Sequence, residues 1–161
     1  MIAPRPSGNP FQDMCTMIGL MTLTWAWAEN SLAMTIGVII EHTGPVRGHK
    51  EAPLSLSRRI DCLKIALREI ENLKPLQQEG RALATRFTEL GRRRHDIIHG
   101  AAWQLQESQF ESISIGVKAG NYTVTNHSFN VGDTVSLNTE ITKLQDDITT
   151  FMLKVVAVLQ T

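Results

Sequence analysis

The chain has 161 residues, two cysteines, and sixteen acidic residues against sixteen lysines and arginines. That length suits one domain with a real core, and Cys15 and Cys62, 47 positions apart in apolar surroundings, read as buried thiols of a reducing compartment rather than a disulfide framework. A formal net charge of zero excludes a protein that grips nucleic acid over its whole surface.

Met1 to Pro10 holds three prolines and a glycine and reads as an extended arm. Met14 to Ala28 then carries no charge, and Ala26-Trp27-Ala28 imitates a signal-peptidase site. The leader has only Arg5, however, and Asp13 opens the apolar run. Glu29 divides that run into pieces of 15 and 11 residues, short of the roughly 20 that a membrane span needs. The expectation is a helix of a cytoplasmic, soluble bundle, ended by Gly44-Pro45 after His42. Trp25, Leu32, Ile36 and Ile39 or Ile40 supply one packing face. Met14, Met17, Met21 and Met34 fill gaps in the bundle or a dimer seam, and Trp25, Trp27 and Trp103 belong to the core. Glu29 lies among uncharged neighbours, Trp25, Ala26, Leu32 and Ala33. It marks either a solvent-facing strip or a buried anion.

Thr43 to Pro53 is a loop holding His49, with His42 just before it. The second helix begins near Ser55 or Ser57 and follows Leu56, Ile60, Leu63, Leu67, Ile70 and Leu73 or Lys74 to the break at Lys74-Pro75. The third runs from Pro75 to about His99, with Gly100 as a left-handed cap. On it Leu83, Phe87 and Leu90 recur at spacings of four and three, and the series continues through Arg94 to Ile97 or Ile98. A guanidinium on an apolar stripe must find an anion, since an unpaired buried charge costs several kcal/mol or more. Glu29 is the expected intramolecular partner of Arg94, and a bound ligand is the other. Five arginines between Arg81 and Arg94 face Glu89 alone, whereas Leu105 to Thr150 is acidic.

Beyond Trp103 the period changes. Ile113, Ile115 and Val117 alternate with polar residues, Gly120-Asn121 offers a turn, and Tyr122 and Val124 resume the alternation, predicting a β-hairpin over about 111–131 in which His127 is a surface residue. Leu137, Ile141, Leu144, Ile148, Phe151, Val155 and Val158 restore a helical series that suits a bundle seam or a subunit interface. The fold class expected is mainly α: an up-down four-helix bundle in a single domain over 1–161, with the hairpin inserted before the C-terminal helix.

Arg94-His95-Asp96-Ile97-Ile98-His99, followed by Gly100, resembles the R-x4-6-H signature of HEPN domains (higher eukaryotes and prokaryotes nucleotide-binding), with a four-residue spacer. His95 matches the polar residue common after the arginine, and Ile97-Ile98-His99-Gly100 is similar to the usual ending of the motif. The close match covers these few residues, and the helix order around them, from Phe11 to Leu159, is similar to the family's helical core. The resemblance implies a metal-independent endoribonuclease of a toxin or phage-defence type, with no cofactor. It implies a homodimer in which two motifs form one composite site, RNA as substrate, and a cognate antitoxin as a further partner.

Cleavage of RNA through its own 2′-hydroxyl needs a base, an acid and a cation for the phosphorane. His99 suits either proton transfer and Arg94 suits the phosphate. His95 and Asp96 support them, with Asp96 able to accept the ring proton of His99 or to pair with Arg92 at i−4. Arg92 and Arg93 are placed to bind substrate, and Glu29 to orient Arg94. Five residues at about 100° each set Arg94 and His99 roughly 140° apart on a regular helix, which favours a site assembled from two subunits. Two alternatives stand beside this reading. The domain binds RNA or nucleotides, or dimerises, without cutting. Or His95 and His99, four apart, hold a metal for hydrolysis with a third ligand from His42, His49, Glu29 or His127.

Overall fold

The computed structural model describes residues 6–98, 101–106, 109–118 and 121–160. Its elements, in chain order, are α1 (Pro10–Thr43), α2 (Leu56–Glu69), a 3-10 helix (Glu71–Leu76), α3 (Gln77–Ile98), β1 (Ala101–Gln106), β2 (Gln109–Lys118), β3 (Asn121–Asn130) and α4 (Val131–Leu159). The chain is therefore mainly helical, with antiparallel strands before the last helix. None of the helices among the described residues is long and apolar enough to cross a membrane.

Local chemistry sets the boundaries. Pro10 opens α1 where its missing N–H costs nothing, and the side chain of Asn9 accepts the N–H groups of Phe11 and Gln12 at 3.0 and 3.2 Å. Gly44, at φ 85°, takes the left-handed position that closes the helix. The second helix departs from expectation by stopping at Glu69. Ile70 turns extended (φ −92°, ψ 117°), and the tighter 3-10 turn carries the chain through Pro75 into α3. At α4, Asn130 and Asp133 cap one another reciprocally: the Asn130 N–H donates to the Asp133 carboxylate at 2.9 Å and the Asp133 N–H to the Asn130 side chain at 3.0 Å.

The strands form one antiparallel sheet in the order β1-β2-β3. The expected hairpin is β2 and β3, and β1 is an additional strand that no alternation in Ala101–Gln106 had signalled. Phe110 stands opposite Phe129 and Ser112 opposite His127. These four share the inward face, with Phe110, Ser112 and Phe129 buried, whereas Ile115, Tyr122 and Val124 are exposed on the other. Gly120 of the expected turn lies outside the described residues.

The chain divides into two compact units, and the divisions fall inside α1, α3 and α4. Thirty-four residues of α1 rise about 51 Å, enough for successive turns to serve different cores. Unit one comprises 1–24 and 90–141, and its buried residues include Met14, Met17, Met21, Leu90, Phe110, Phe129, Leu137 and Ile141. Unit two comprises 25–89 and 142–161. It buries Trp25, Leu32, Ile36 and Ile39 of α1, Leu63 and Leu67 of α2, Phe87 of α3, and Leu144, Ile148, Phe151 and Val155 of α4. Trp25 meets Phe87 edge-on, ring centroids 5.9 Å apart.

Three expectations need correction. Trp27 is half exposed on α1 rather than core, Cys15 is exposed, and only Cys62 is buried. Burial pushes the Cys62 thiol up, because a thiolate there has no water to solvate it. Met34 is likewise exposed, whereas the other three methionines of the series are buried.

Candidate functional site

The last turns of α3 belong to unit one. Leu90 and Ile97 are buried, and Arg94, four residues after the first and three before the second, is half-buried as its place on the stripe demands. Arg92 and His95 are exposed on the opposite side. His99 and Gly100 lie outside the described residues.

Asp96 is the hub of the described cluster. Its carboxylate accepts from Arg92 Nη1 at 3.2 Å, the i,i+4 pair that the spacing suggests, and stands 3.8 Å from His127 Nε2 on β3. Its backbone carbonyl accepts a hydrogen bond from Ser112 Oγ at 2.6 Å. Ser112 is fully buried and lies opposite His127 in the sheet register, so a single bond fixes both strands against the end of the helix. The separation of 3.8 Å is too long for a hydrogen bond. Asp96 and His127 keep side-chain exposures of 19% and 27%, enough to meet a ligand without full hydration.

Next to this pair is an open cleft of about 300 Å³, lined by Arg93, Asp96, His127, Ser128, Phe129 and Asp133 among others. Arg93 donates to Glu140 of α4 at 2.7 Å, which holds the guanidinium at the edge of the cleft. A guanidinium has five N–H donors, and this bond uses one. The cleft thus offers a cation for a phosphate, an imidazole for proton transfer, and a carboxylate beside it.

His127 was read from sequence as a surface residue and is instead half-buried beside Asp96. The signal lay in the phase of the strand: the apolar alternation Ile113, Ile115, Tyr122, Val124 drew attention to one face, and the residues between them, flanked by Phe110 and Phe129, form the other. Glu29 belongs to unit two, where Arg59 Nη1 of α2 stands 3.6 Å from its carboxylate. The indole N–H of Trp25 donates to the same carboxylate, and Arg59 Nε donates to the carbonyl of Pro53 at 2.7 Å.

Compared with known proteins, the chain matches no family model, no curated protein and no solved structure. Function must therefore be argued from the cluster itself. Among the described residues no three of His, Cys, Asp and Glu converge as a metal-binding group. His42, one of the third ligands considered with His95 and His99, has Nδ1 2.9 Å from the Val38 carbonyl of its own helix.

Proposed function

We propose that the chain is a HEPN-like endoribonuclease that cleaves RNA through the 2′-hydroxyl without a metal, working in the cytoplasm as a homodimer whose helices pack as an up-down four-helix bundle. Arg94 neutralises the phosphorane, and His99 exchanges the proton of the attacking or leaving oxygen. His95 and Asp96 support them, and Arg92 and Arg93 hold the flanking backbone. A toxin or phage-defence setting with a cognate antitoxin accords with such an activity.

The observation that carries this reading is at the end of α3: Arg93 and Asp96, on either side of Arg94 and His95, open onto one cleft together with an imidazole. Cation, carboxylate and imidazole are the groups that metal-free phosphodiester transfer requires. The half-buried place of Arg94 suits a guanidinium aimed at a ligand in a partly desolvated site.

Arg94→Ala and His99→Ala are each expected to lower RNA cleavage by about 10²–10⁴-fold or more while circular dichroism and oligomeric state stay as in the parent. Cleavage by both variants at the parent rate would overturn the assignment. Binding without cutting would appear as RNA retained by the parent protein with no new ends. A metal hydrolase would appear as activity lost in chelator.

A further inference from the structure

Every route through the 2′-hydroxyl needs two proton transfers, and the reading above assigns His99 one of them. We propose that the second transfer belongs to His127: delivered by β3 and oriented by Asp96, it is the general acid that protonates the leaving 5′-oxygen in the cleft beside Arg93. The assignment rests on the RNA-cleavage reading above and adds to it a residue from outside the motif.

Geometry supports it at three points. The Ser112 hydrogen bond to the Asp96 carbonyl and the Ser112–His127 register hold the backbone of His127 beside the end of α3, where its imidazole stands 3.8 Å from the Asp96 carboxylate. Ser112 has no surface exposure, so that lock is protected from water. The charged groups lining the cleft with His127 are Asp96 and Arg93 of α3 and Asp133 of α4. Arg92 is bonded to Asp96, Glu140 to Arg93, and Asp133 to the N-cap of α4. Arg93, at the edge of the same cleft, remains positioned for the phosphate while His127 faces the leaving oxygen.

The step balances. The 2′-oxygen attacks phosphorus and loses its proton to the base, the P–O5′ bond breaks, and the His127 imidazolium gives its proton to O5′. The products are a 2′,3′-cyclic phosphate and a 5′-hydroxyl. Asp96 acts through His127 and is a positioning residue.

A test follows from the leaving group, since RNA with a bridging 5′-sulfur at the scissile position expels a thiolate and needs no acid. His127→Gln is expected to slow cleavage of ordinary RNA by about 10²–10³-fold and to cut the 5′-sulfur substrate within a few-fold of the parent rate. That second rate also demonstrates that the variant is folded. Asp96→Asn should show a smaller loss with the same rescue, which a merely structural defect would not show. Equal slowing on both substrates, or no slowing on either, would overturn the acid role while leaving the Arg94 and His99 results intact. Ordinary RNA left whole by the parent protein would overturn the RNA-cleavage reading and the acid role together.

Discussion

Arg59 and Arg94 occupy equivalent places on their helices. Arg59 follows Leu56 by three residues and precedes Leu63 by four; Arg94 follows Leu90 by four and precedes Ile97 by three. Both are half-buried as a result. The Arg59 guanidinium faces Glu29 at 3.6 Å and donates to the Pro53 carbonyl, joining α1 to the loop before α2 within unit two. Removing it leaves Glu29, which also accepts the Trp25 indole N–H, without that cation in a partly buried place. Arg59→Ala is therefore expected to lower unfolding stability by about 1–3 kcal/mol, read from the midpoint of urea denaturation. An unchanged midpoint would mean that the pair is only decorative. Arg94, on the same kind of stripe, is the residue proposed to meet the phosphate.

Element by element, the helices were legible because the buried stripe repeats at helical spacing. In α4 the predicted series Leu137, Ile141, Leu144, Ile148, Phe151 and Val155 is buried, and Val158 at its end is half-buried. In α1 the same is true of Trp25, Leu32, Ile36, Ile39 and Ile40. Two features escaped for definite reasons. The 3-10 turn Glu71–Leu76 keeps Leu73 buried, as a continued α2 would have done, so the apolar pattern alone did not reveal the break at Ile70. In the sheet, alternation fixes the period but not which phase faces inward, and the polar phase carrying Ser112 and His127 is the inward one. Of the candidate site, the end of α3 was legible from spacing, whereas the approach of His127 is a long-range pairing that no local pattern encodes.

A further consequence of close packing is carried by α3. At Gly80 an added Cβ would stand 2.3 Å from Leu67 Cδ1 and 2.9 Å from Phe151 Cζ. Both neighbours are fully buried and have no space to yield. Gly80→Ala, which in an exposed helix would stabilise by about 1 kcal/mol, is expected here to destabilise by about 1–3 kcal/mol. Thermal unfolding decides it, and a raised Tm would contradict the close approach.

At the scale of the whole molecule, the separation of charge in the sequence resolves into pairs between α3 and α4. Arg86 meets Asp147 within unit two and Arg93 meets Glu140 within unit one. Two of the five arginines of the basic stretch are thus paired with carboxylates of the acidic one. Any grip on RNA is then local, at the end of α3, rather than spread over the surface. The proposed cleavage of RNA by this local cluster, through the RNA's own 2′-oxygen and without a metal, is tested most directly by the chemical nature of the ends. A structured RNA incubated with the purified protein in excess chelator should yield fragments with 2′,3′-cyclic phosphate and 5′-hydroxyl ends, and Arg94→Ala should yield none. Fragments with 5′-phosphate ends, cleavage that stops on chelation, or intact RNA would contradict it.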